Sequence, residues 1–69
     1  MNNILTFKDG SNIDNSLFDL CLEIYGKVYS IIFIKSLDDN ITHVEYNGEY
    51  TKLTFIDEIS KTFFILKYE

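Results

Sequence analysis

Proline, arginine, tryptophan, alanine and glutamine are missing from this 69-residue chain, and cysteine and histidine occur once each. Each absence narrows the range of functions. Without arginine there is no forked donor to read guanine edges or to clamp a phosphate in two places. Six lysines against eleven acidic residues leave a net charge of −5, the wrong sign for displacing counterions from a phosphate backbone. Direct binding of nucleic acid is therefore not expected. The aromatic side chains, 16% of the chain, would have no positive groove beside them in which to stack bases.

The lone thiol, Cys21, cannot close an internal disulfide. The amino terminus does not combine a basic region, an apolar stretch and a small-residue cleavage site, so a reducing cytoplasm is the expected location. The longest apolar runs, IIFI (31–34) and FFIL (63–66), fall far short of the ~20 residues that span a bilayer, and no membrane association is expected.

Chemistry is equally thin. A nucleophile needs a base that a third group orients, and the only imidazole, His43, falls on the outward side of an alternating segment. Structural zinc wants four Cys or His ligands, and the chain has two in all. The acidic run Asp38, Asp39, Asn40 lacks the spacing and glycine of a calcium loop. Gly10, Gly26 and Gly48 stand apart, so no phosphate cradle forms. Neither an enzyme nor a cofactor-dependent protein is expected.

What is present is apolar: 46% of residues are hydrophobic, a composition that folds. A single domain over 1–69 is expected, with no linker or repeat. The abundance of Ile, Asn, Lys, Phe and Tyr, whose codons are AT-rich, points to a low-GC bacterium or its phage.

Short segments rich in Ile, Phe, Tyr, Thr and Leu alternate with turn-forming clusters, the pattern of strands. They predict strands near 3–7, 17–25, 28–36, 41–46, 49–56 and 61–68. The expected fold is all-β, an antiparallel meander of five or six strands curled into a small barrel or roll. Asn47-Gly48 reads as a type I′ turn, which would face Tyr46 with Glu49, Val44 with Thr51 and His43 with Lys52. Val44, Tyr46, Leu53 and Phe55 then point inward. Gly26-Lys27 reads as a second hairpin turn, which would gather Phe18, Leu20, Leu22, Ile24, Tyr29, Ile31 and Phe33 on one face, and Phe64, Leu66 and Tyr68 would be the inward set of the last strand. The competing reading is α+β, with a helix at about 16–25 capped by Ser16 and ended by Gly26, packed on a four- or five-stranded antiparallel sheet.

Two surface features follow from the meander. The 36–40 and 57–60 turns would share one end of the sheet, making an acidic rim of Asp38, Asp39, Asp57 and Glu58, suited to a protein partner with a basic surface. Tyr25, Val28, Ile32, Ile34, Phe63 and Ile65 would form an apolar outer face that one layer cannot hide, suited to a homodimer or another protein. The expected function is that of a small acidic binding protein that occludes a surface of a protein partner, as an inhibitor encoded by a phage or other mobile element would. The alternative is a homo-oligomeric structural module.

Overall fold

The computed structural model describes residues 2–26 and 30–69. Among them the chain forms β1 (Ile4–Lys8), α1 (Asn12–Tyr25), α2 (Ile31–Ser36), β2 (Ile41–Tyr46), β3 (Tyr50–Phe55) and α3 (Glu58–Tyr68). The three strands make one antiparallel sheet in the order β1-β3-β2. The helices pack on one side of it, α1 and α3 over β1 and α2 over β2. This is a two-layer α+β arrangement, and it overturns the all-β expectation: the segments read as strands at 17–25 and 61–68 are helical throughout, and that at 28–36 is helical from Ile31 to Ser36.

Local chemistry explains each helix. Ser11 caps α1, its hydroxyl accepting the Asp14 N–H, while Gly26 closes it with φ of 70° and an N–H donated to the Leu22 carbonyl. Ile13, Leu17 and Cys21 recur every four residues and are the buried stripe. The cap thus lies five residues before Ser16, inside a cluster that reads as a loop. A strand would have buried Leu22, Ile24 and Ile31; they are exposed, whereas Phe33 is buried and Phe18 and Leu20 are half-buried. Tyr29, Lys27 and Val28 lie outside the described residues. Nothing lies within 4 Å of a Cβ built on Gly26, so Gly26→Ala carries only the left-handed backbone cost. Urea denaturation should register a loss of about 1–2 kcal/mol, and Gly26→Asn a smaller one.

Asp57 caps α3, and that helix seats Ser60 and Phe64 on the sheet with Tyr68 half-buried, again at spacings of four. The β-branched and aromatic run TFFILKY favours a strand by propensity alone, but packing overrides it. Phe64 meets Phe55 at 5.3 Å and Tyr68 at 4.7 Å between ring centroids. Leu66, expected inside, is exposed. The core joins Phe7, Ile13, Leu17, Ile34, Ile41, Leu53, Phe55 and Phe64.

The β2–β3 hairpin is present, with a different turn. Asn47 N–H donates to the Tyr50 carbonyl at 3.2 Å, which makes Gly48-Glu49 the central pair, with Gly48 at φ of 93°. Val44 therefore pairs with Leu53 and Tyr46 with Thr51, two residues from the expected partners. A shift of two preserves side-chain parity. Val44, Leu53 and Phe55 still face the helices, while Glu45 and Lys52 face solvent. A bulge between Ile41 and His43 then reverses parity, so that Ile41 faces inward opposite Phe55 while His43 stays outside opposite Thr54.

Candidate binding faces

His43 and Cys21 do not meet as a catalytic pair would. Cys21 is buried on α1, and His43 stands on the solvent side of β2, 3.7 Å from Glu45. Among the described residues no three His, Cys, Asp or Glu side chains are grouped to hold a metal ion.

The acidic residues are brought to one end of the sheet, by the β2–β3 hairpin rather than by a meander. Ile41 N–H donates to the Asp38 carbonyl at 3.1 Å, and Ile56 N–H to the Asn40 carbonyl at 2.9 Å, so the segment before β2 and the segment after β3 run side by side. Two of the four carboxylates have backbone tasks there. Asp38 Oδ1 accepts the Asn40 N–H at 2.9 Å, and Asp57 Oδ1 accepts the Ser60 N–H at 2.7 Å. Asp39 and Glu58 are exposed.

The Ser60 backbone N–H, helped by the Ser60 hydroxyl, holds the Asp57 carboxyl below the usual carboxylate range. A depressed folded-state value means that this stabilisation is present above the unfolded pKa and is lost as pH falls through the folded one. Asn is an equally good cap by shape. Asp57→Asn should therefore lower the Tm near neutral pH, and the gap to the parent protein should close as acid titrates Asp57, a convergence that thermal melts across the acid range would record.

The apolar set divides. Ile34 is 2% exposed and belongs to the core, so it cannot serve an outer face; Ile65 is half-buried, and Val28 lies outside the described residues. Tyr25, Ile32 and Phe63 are exposed as expected. Phe63 has different neighbours from those a strand would give it. Ile59, Phe63 and Leu66 follow each other at spacings of four and three along α3, on the side away from Ser60 and Phe64, and are 67%, 66% and 75% exposed. Ile56, just before the helix, is exposed as well.

One feature has no signal in the sequence. The Tyr46 phenol donates to Asp9 Oδ2 at 2.7 Å across 37 residues of chain; that bond, reinforced by the negative charge around it, pushes the phenol pKa up. The two side chains stand at the mouth of a cleft of about 390 Å3 that Asp14, Phe18, Ile31, Ile34 and Thr51 also line.

Comparison with protein-family models, with curated proteins and with solved structures gives no match.

Proposed function

We propose that this chain is a small acidic, non-enzymatic binding protein that covers a surface of a protein partner carrying basic residues, in the manner of an inhibitor supplied by a phage or other mobile element. The observation that supports it is the stripe Ile59, Phe63 and Leu66. The accessible surface of 4605 Å2 is close to the ~4,500 Å2 that a compact monomer of this mass displays, so incomplete folding does not account for the stripe. It is a surplus left after the core is closed, and contiguous apolar surplus marks an interaction site. The exposed Asp39 and Glu58 favour a basic partner, through steering more than through affinity.

The same spacing of four and three suits a helix-to-helix seam with a second copy, which supports the alternative of a homo-oligomeric assembly module. Mass measurement in solution and affinity capture from a low-GC bacterial lysate separate the two. The binding reading expects a host protein retained by the parent chain, lost with Ile59→Asp combined with Leu66→Asp, and weakened at high salt. A salt-independent oligomer that retains nothing else would replace it with the assembly reading.

No helix among the described residues is long and apolar enough to cross a membrane.

A further inference from the structure

The outer strands of the sheet are β1 and β2, and their free edges differ. On β1 the Asn3 carbonyl accepts the Phe55 N–H at 2.9 Å, and the Asp9 N–H donates to the Glu49 carbonyl at 3.0 Å. Both pairs belong to one unbroken antiparallel register with β3. Bonded and non-bonded positions alternate along such a ladder, so Leu5 and Phe7 bond β3 while Ile4, Thr6 and Lys8 turn their N–H and C=O groups to the free edge. Among the described residues the one bond made there is from the Ser11 N–H to the Lys8 carbonyl at 3.1 Å, which leaves that oxygen a second lone pair. All three residues are exposed. β2 is better guarded: a bulge between Ile41 and His43 breaks its register, α2 packs against it, and Glu45 adds charge, devices that keep an edge strand from pairing. β1 has the β-favouring run ILTFK, and residues 1–8 carry no carboxylate and a single charged side chain, Lys8. Two chains of net charge −5 meet with least repulsion along such a stretch.

A row of backbone donors and acceptors at strand spacing is met by another extended strand, and β1 is its own complement. Antiparallel pairing about a two-fold axis at Thr6 sets Thr6 opposite Thr6, Ile4 opposite Lys8 and Leu5 opposite Phe7 of the other copy. The outward groups of all three edge residues then meet in register, whereas a slip of one residue would set them against groups already bonded to β3. Leu5, half-buried against the core, gains an apolar neighbour on the helix side. On the open side threonine meets threonine, and no two like charges are opposed. We infer that β1 docks on β1 of a second copy, joining the two three-stranded sheets into one across a closed two-fold interface.

This dimer goes beyond the proposed function and uses none of the α3 stripe. Amide exchange in the 15N-labelled full chain is followed by NMR at about 20 μM and about 1 mM, with sedimentation giving the mass. For chains half-paired at about 100 μM, exchange at Ile4, Thr6 and Lys8 should be about fourfold slower at the higher concentration, while β3 protects Leu5 and Phe7 at both. Thr6→Pro removes an edge-side N–H that β3 does not use, a change edge strands tolerate, and should abolish the concentration dependence. Thr6→Glu keeps that N–H and faces Lys52 within its own chain, but sets two carboxylates face to face across the axis and should weaken pairing about fivefold. A chain still monomeric at the higher concentration, a dimer whose edge amides exchange as fast as the monomer's, or undiminished pairing in a folded Thr6→Glu protein would overturn the inference. Edge protection that appears only when a captured host protein is added would assign the edge to a foreign strand and overturn it as well. Loss of lysate capture with β1 pairing intact would refute only the proposed function.

Discussion

Leu17→Ala is expected to lower the unfolding free energy by about 2–5 kcal/mol. The side chain is 0% exposed and lies in the core with Ile13, Leu53, Phe55 and Phe64. No backbone shift confined to one turn of α1 could refill the space it leaves. A chain of this length has roughly 3–10 kcal/mol of stability in total, so the variant should sit at or beyond the edge of folding at room temperature. Leu22→Ala, one and a half turns away and 40% exposed, should cost about 0.5 kcal/mol or less. The pair is diagnostic. In a strand, position 22 would face the core and position 17 the solvent, so the order of the two effects would reverse. Urea unfolding followed by circular dichroism gives both values, and comparable losses at the two positions would refute the helical stripe.

That reversal explains how much of the fold was legible. Over residues 17–25 the apolar residues satisfy a period of two and a period near four together, so periodicity alone does not choose. The deciding signal lies upstream, where Ser11 with Asp14 forms a helix start within a run of Asp, Gly, Ser and Asn that also reads as a loop. In α3 the signal at the helix start competes with the strand propensity of TFFILKY, and the run becomes a helix because Phe64 can reach Phe55, a contact that exists only once the sheet is in place. The β2–β3 hairpin was readable because alternation and Asn-Gly agree. Its turn shifted because the Asn47 side chain accepts the Glu49 and Tyr50 N–H groups, which suits Asn47 to the first position of the turn and leaves Gly48 to supply the positive φ.

The candidate sites follow the same division. Asp38, Asp39, Asp57 and Glu58 fall at one end because the hairpin pairs their neighbours, and pairing is local enough to read. The capping bonds of Asp38 and Asp57 are local too, and Asp-x-x-Ser ahead of an apolar run was the available sign that Asp57 begins a helix. Ile34 was misplaced because a two-residue period puts it outside, whereas in α2 it is buried beside Phe33. The cleft could not be read, since Asp9 and Tyr46 meet only through the order β1-β3-β2.

Phe63→Glu should separate binding from folding. The side chain is 66% exposed at the middle of the outward stripe, so replacing it leaves the packing of Ser60 and Phe64 untouched and should change stability by no more than about 0.5 kcal/mol. Its effect on association should be far larger. An aromatic residue at the centre of an apolar patch is the kind of side chain on which interface energy concentrates, and loss of such an anchor costs at least about 2 kcal/mol. A carboxylate in its place adds the cost of burying a charge with no cation opposite it. Together these amount to a drop in affinity of about a hundredfold or more, visible as lost capture of the partner or, for a self-associating chain, as a shift to monomer. Asp39→Asn should act differently, because a charge at the rim changes the association rate and its salt dependence more than the lifetime of the complex. A Phe63→Glu protein that keeps both its melting profile and its full affinity would show that α3 presents the stripe to water alone, and the binding face would then have to be sought among the exposed apolar residues of α1 and α2, of which Tyr25 and Ile32 are the most exposed.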